Sequence, residues 1–321
     1  MKVKLLMILA VLNAALFAQK EYNFASTGQQ KSLLNPSFVG SSKGINLQTL
    51  SAINRGGSFY SNYTGIDYGG RSFSYGISNT VNRLGNGIYI SDQLDITTAY
   101  KIKLSSKVTL IPSIQASYLT RKVDGSKIPF EDLMRIDQNI PNAYSLPYSQ
   151  QDYRIVRKKY NFSASSGVLL DFNKKITFGV AAYDINQPDR GLLGTSKLAL
   201  SQIYHISGIL FSEKKVQLQP YSVLKLQREG SRYYEVGAYT SYKLISLHTG
   251  FRNEIAYNYK DLSTVRSQWV YFLLGAHLTY KKVKLGYTYM VIDGYNDAHE
   301  LFFSVNLFNK DKSQQRNLML N

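Results

Sequence analysis

The chain has 321 residues, 13% of them aromatic, with 26 Tyr, 15 Phe and a single Trp, and it carries a formal net charge of +17. It contains no cysteine, which excludes disulfides, thiolate metal sites and a lipidated N-terminal Cys. Its Lys and Arg residues sit in turns and on alternating strand faces rather than in one stripe or tail, so no nucleic-acid partner is expected.

Residues 1–18 read as a secretory signal peptide: a basic start with Lys2 and Lys4, an apolar run from Leu5 interrupted at Asn13, and small-residue punctuation ending in Ala18 before Gln19. Cleavage near Ala18/Gln19 lowers the net charge from +17 to +15. The run is shorter than the roughly 20 residues of a spanning helix, and no later uncharged apolar segment reaches that length. Residues 19–43 follow as a polar segment expected in the periplasm. It contains Asn35-Pro36, a dipeptide that can either start an ordinary turn or serve as a contact.

From residue 44 to 308 the chain alternates with period two. Gly44 to Asp92 must be divided into several strands, and its Tyr60 to Asn82 stretch alternates weakly. Between Ile96 and Tyr118 two strands run back to back. Ile96, Thr98, Tyr100, Ile102 and Leu104 share one face, and a turn at Ser105-Ser106-Lys107 leads into Val108, Leu110, Ile114, Ala116 and Tyr118. The length suits a tilted bilayer-crossing strand of about 9 to 11 residues better than a sandwich strand of about 5 or 6.

Related hairpins follow: Phe162 to Phe172 with Ile176 to Tyr183, Ile203 to Phe211 with Val216 to Leu226, Tyr233 to Tyr242 with Leu244 to Phe251, and Val270 to Tyr280 with Val283 to Val291. Each turns through lysine, and Glu300 to Phe308 forms the last strand. The connections Thr120 to Lys159, Asn186 to Ser201, Arg252 to Gln268 and Asp293 to Ala298 are longer. Short turns on one side and long loops on the other are the pattern of an outer-membrane barrel. The fold class is therefore all-β, a transmembrane antiparallel outer-membrane β-barrel of about 14 strands, with the short turns in the periplasm. A soluble all-β protein using Tyr for strand propensity is the alternative to aromatic girdles. The turn lysines would face anionic headgroups or a partner surface, or simply solvate the turns. Pro112 and Pro220, each five residues past a turn lysine, are expected to mark bulges near the periplasmic rim. Residues 309–321 form a polar C-terminal tail.

Chemistry is sparse. His205, His248, His277 and His299 lack metal-site spacing, and there is no GxSxG elbow, P-loop or dinucleotide fingerprint. No catalytic, cofactor-binding or metal residues are assigned. The loop containing Asp293, Asn296, Asp297, His299 and Glu300 could hold an Asp-His dyad or a Ca²⁺ ion, although carboxylates with His in a loop are more often solvated turn chemistry and the spacing is not that of an EF-hand. Lys101, Lys103, Asp171, Lys225, Glu235, Arg252 and Glu254 are placed in the lumen, where they either pair with one another or act as a selectivity filter.

Ser32-Leu-Leu-Asn-Pro-Ser-Phe-Val-Gly40 resembles the N-terminal LLNPAxxG motif of the PorP/SprF family of Bacteroidetes outer-membrane proteins. Ala182 to Pro188, Gly250 to Arg252, Gly286 to Tyr289 and His299-Glu300 resemble further segments of that family in the same order. The chain departs from the pattern in having Phe251 before Arg252 and Met290 in place of Asp, and in extending past the usual C-terminal aromatic. The resemblance implies a non-enzymatic barrel of the type IX secretion and gliding-motility apparatus that aids export or surface anchoring of large adhesins with C-terminal sorting domains. It implies contact with periplasmic and outer-membrane secretion components as well as lipid, with Asn35, Pro36, Gly40, Arg252, His299 and Glu300 as motif positions for such contacts. The alternative is a passive outer-membrane channel for small or hydrophobic solutes.

Overall fold

A computed structural model describes residues 24–307 apart from 26–27, 55–56, 125–155, 190, 193–196, 213–215, 228–230, 258–264 and 293–296. The signal peptide, the tail from 309 onward and most of the predicted 120–159 loop lie outside the described residues. Fourteen antiparallel strands form a closed barrel. They are β1 (Gly44–Asn54), β2 (Phe59–Gly69), β3 (Phe73–Leu84), β4 (Tyr89–Tyr100), β5 (Val108–Asp124), β6 (Val156–Phe172) and β7 (Ile176–Tyr183). The second half comprises β8 (Ser201–Gly208), β9 (Val216–Gln227), β10 (Ser231–Tyr242), β11 (Ile245–Tyr257), β12 (Val265–Tyr280), β13 (Val283–Ile292) and β14 (Ala298–Asn306). Two-residue pieces, Ile102–Lys103 and Phe211–Ser212, prolong β4 and β8. Every strand pairs with its sequence neighbours, and β14 returns to β1 from Asn46↔Asn306 to Asn54↔Ala298, so the ring has no free edge between first and last strands.

Alternation sets the two faces. On β4, Leu94, Ile96 and Tyr100 point outward while Asp95, Thr97 and Ala99 are buried inside. The same holds for β12, with Phe272 and Leu274 outside and Tyr271 and Leu273 inside. An apolar exterior over a largely polar interior fits a barrel whose solvent outside is lipid.

The strands outrun the predicted limits at several places. The connection expected from Arg252 to Gln268 narrows to 258–264, because β11 runs through Arg252 to Tyr257 and β12 starts at Val265. The 120–159 connection narrows in the same way to 125–155. Three connections at the end opposite the lysine turns, 55–58, 85–88 and 228–230, are short as well, so long connections occupy only part of that rim.

The prolines do not both mark bulges. Around Pro112 the ladder between β4 and β5 is interrupted but keeps its register, Ala99↔Ser113 before the gap and Ile102↔Leu110 after it. Pro112 removes an N–H without adding a residue. Opposite Pro220, pairing moves from Tyr221↔Ser207 to Leu218↔Phe211, one residue out of step, so there the irregularity falls on the neighbouring strand.

Because Ile96 stands on the outward face, Ile96→Lys should cost about 2–4 kcal/mol in urea unfolding from lipid vesicles if it lies near the bilayer midplane. Ile96→Val should stay within about 1.5 kcal/mol of the parent.

Candidate functional site

Residues 24–25 and 28–40 lie inside the barrel, where the sequence pattern predicts a periplasmic segment. Asn35 is fully buried and sits in a 3-10 turn, Pro36–Phe38, that it caps by accepting a hydrogen bond from Ser37 N–H at 2.9 Å. Pro36 suits the first position of such a turn because its missing N–H is not needed there. With its Oδ1 engaged, Asn35 directs Nδ2 at the wall, donating to Val168 O and Val180 O at 3.1 Å each, with His205 Nε2 at 3.3 Å. These contacts join β6, β7 and β8. They are sterically possible because Gly167 and Gly179 face Asn35, and a Cβ at either position would collide with its carboxamide.

Further anchors ring the segment. Ser37 Oγ meets Ser113 Oγ at 2.8 Å, Tyr183 donates to Leu33 O at 3.3 Å, and Ser32 Oγ lies 3.1 Å from Tyr63 OH. Gly40 takes φ +59, a left-handed conformation, in a space closed by Tyr68 O and Ser74, and Lys101 Nζ donates to its carbonyl at 2.9 Å. Asn35, Pro36 and Gly40 therefore belong to one device, and their role in this structure is to seat the segment in the lumen.

The segment's N-terminal part is held deeper, by a clamp on its main chain. Arg252 Nη2 donates to Phe24 O at 2.8 Å, and Ala25 N–H donates to Glu300 Oε1 at 2.6 Å. Arg252 is itself fixed by Glu235, with Nε and Nη2 both 2.6 Å from Oε2, and by the ring of Tyr233 4.6 Å from the guanidinium carbon. Tyr221 donates to Glu235 Oε1 at 2.8 Å and lies 2.7 Å from His248 Nε2. Arg252, Glu235, Glu254 and Glu300 are all at most 2% exposed. Apolar packing supports the clamp. Phe24 sits with Leu50, Ala52, Tyr63 and Phe302, Ala25 with Tyr271, Leu273 and Met290, and Leu34 with Ile203, Val223 and Tyr233.

The other sequence-level candidates separate. His299 does not join Glu300: it lies on the outer face, Nδ1 2.7 Å from Tyr287 OH and its ring against Tyr289. Asp297 accepts from Tyr289 OH at 2.5 Å, while Asp293 and Asn296 lie outside the described residues. The structure gives no contact between Asp297 and His299 to support a dyad. Of the charges assigned to the lumen, Glu235 and Arg252 pair, Lys225 Nζ stands 5.9 Å over Tyr233, and Asp171 accepts from Lys174 N–H at the β6–β7 turn. Lys103 is exposed beyond the end of β4. Between the segment and the β1–β5 wall a cavity of about 170 Å³ remains, lined by polar groups including Asp67, Asp95, Gln93 and Gln115. Within the segment, burial pushes the Lys31 ammonium below its ordinary pKa, repulsion from Lys284 adds to this, and Asp171 opposes it. No group of three or more metal-ligating side chains is found among the described residues.

The sequence matches the family described as type IX secretion system membrane protein PorP/SprF over residues 16–305. The chain belongs to the PorP/SprF family. It is an outer-membrane β-barrel of that secretion system's membrane proteins. No curated protein matches it. Among solved structures it is similar to a Pseudomonas aeruginosa FadL homologue (8% identity, TM-score 0.48, covering 85% of this chain and 93% of that one). It is also similar to Acinetobacter baumannii Omp33 (8%, 0.48, 84% and 100%) and to the Ralstonia pickettii toluene transporter TbuX (9%, 0.48, 85% and 92%).

Arg252→Ala strands the Glu235 carboxylate and should destabilise the barrel by about 3–5 kcal/mol in equilibrium unfolding. Gly167→Val should displace Asn35 and break its bonds to the Val168 and Val180 carbonyls while removing no side chain that anchors the segment. A cysteine placed at Phe24 should then react faster with an impermeant maleimide than it does in the parent barrel.

Proposed function

We propose that this PorP/SprF barrel is a non-enzymatic component of type IX secretion that aids export or surface anchoring of large adhesins carrying C-terminal sorting domains, rather than a solute channel. The observation that carries this reading is the lumen. Residues 24–25 and 28–40 run through it, touching β1 and β2, β5 to β8, β10, β11 and β14, with Ala25, Ser32, Asn35, Ser37 and the Phe24 carbonyl hydrogen-bonded to the wall. A barrel filled by its own chain has little use as a conduit. Its working parts would be the connections on the rim opposite the short turns, and the longest of these in sequence is 125–155. In this reading that loop meets the exported adhesin, while the short-turn rim meets periplasmic secretion components. Arg252, Glu235 and Glu300 work as positioning residues that keep the lumen shut.

The test is co-purification from cells in mild detergent. Replacing residues 125–155 by a tight turn should leave a folded, heat-modifiable barrel in the outer membrane and remove the adhesin from the pulled-down complex. Intact surface adhesin in cells lacking the protein, together with steady solute-selective current from the pure barrel in a planar bilayer, would favour the channel instead.

A further inference from the structure

The hairpin turns of the short-turn rim contain a local conflict. At a tight turn the residue that takes positive φ is best Gly or Asn, because a Cβ crowds the backbone there. At the β3–β4 turn the chain follows that rule with Gly85, Asn86 and Gly87, while Asp184 and Gln187 depart from it in the β7–β8 connection. On the short-turn rim it places lysine instead: Lys174 at φ 56, Lys243 at φ 53 and Lys281 at φ 51. Three separate hairpins accept the strained residue and gain a positive charge.

Two of those charges are aimed at the membrane interface. Lys243 Nζ lies 5.2 Å from the ring centroid of Tyr242, and Lys281 Nζ lies 5.2 Å from that of Tyr280. Both tyrosines are on the outward face, about half exposed, and stand at the same end of their strands as Tyr100 and Phe172 do on β4 and β6, where an aromatic girdle meets headgroups. Arg71 and Lys107 are exposed at two other turns of this rim, and Lys282 is exposed beside Lys281. The acid described there, Asp171, is spent on the Lys174 N–H, and Glu213 lies outside the described residues. An ammonium resting on an outward tyrosine faces sideways into the headgroup layer rather than down toward a soluble protein.

We infer that this rim is a binding surface for anionic phospholipid headgroups of the inner leaflet, with Lys174, Lys243 and Lys281 as its fixed contacts. The side-on position favours lipid over an acidic periplasmic protein. Each lysine near a charged membrane surface is worth about a fivefold preference at low ionic strength, and the effect fades within a Debye length as salt rises.

The experiment exploits the turn conformation. Lys174→Asn, Lys243→Asn and Lys281→Asn together install a residue better suited to positive φ, so the triple variant should fold and resist urea at least as well as the parent. Both proteins are placed in nanodiscs of mixed phosphatidylglycerol and phosphatidylcholine, and the lipid retained on mild detergent extraction is measured by native mass spectrometry. The parent should retain phosphatidylglycerol preferentially, losing the preference in about 0.5 M salt. The Asn variant should lose about fivefold per lysine removed, and the matching Lys→Arg triple should keep it. A parent with no preference for phosphatidylglycerol, or an Asn triple that retains it in full, would overturn the inference, and the first result would point to a protein partner for the rim.

Discussion

Backbone N–H and C=O groups inside hydrocarbon have no water to bond, and every other feature of this molecule is arranged around that constraint. It forces the strands into a ring, and the ring is complete only where β14 meets β1 over nine paired positions. Closure then divides every strand into a lipid face and a lumen face, and it creates an interior that must be filled or wetted. The chain fills much of it with residues 24–25 and 28–40, whose own backbone needs partners as much as the strands' does. That need explains the chemistry of the site. Arg252 supplies a donor to Phe24 O, Glu300 an acceptor for Ala25 N–H, and Asn35 two donors to wall carbonyls.

A buried arginine is costly unless it is paired and hydrogen-bonded, and removing one partner of such a pair costs more than the pair contributes. Here Glu235, the Tyr233 ring and Phe24 O together satisfy the guanidinium, and Tyr221 holds the second oxygen of Glu235. The arrangement spends many polar groups to fix one short stretch of main chain. In a solute channel the same groups would be left to line a passage.

The barrel was legible in the sequence because lipid imposes a simple alternating code. Ile96, Ile114 and Phe303 all appear on the outward face as their spacing required. Strand ends were less legible: β11 and β12 continue beyond Phe251 and before Val270 because inward residues such as Arg252 and Glu254 look like loop chemistry until their partners are known. The lumen segment was missed for a related reason. Ser32 to Gly40 is polar, short and turn-like, and nothing local distinguishes a turn in the periplasm from a turn inside a barrel. A signal did exist on the wall, where Leu50, Ala52, Leu273 and Phe302 stand at inward positions that a water-filled lumen would make polar. Gly167 and Gly179, facing Asn35 on adjacent strands, were a second. His299 and Glu300 are neighbours on one strand and so face opposite ways, which period-two alternation alone dictates.

Phe24 packs against Leu50 of the first strand and Phe302 of the last, while Ala25 bonds Glu300, also on the last. The socket for the start of the lumen segment is thus split across the seam and is incomplete in a barrel that is still open. Seating the segment and zipping the seam are therefore one cooperative event, linking residues 275 positions apart in sequence. A nascent barrel lacking its last strand lacks Glu300 and Phe302 from the socket of residues 24–25, so the fully seated lumen segment serves as the molecule's own record that its circumference has been completed.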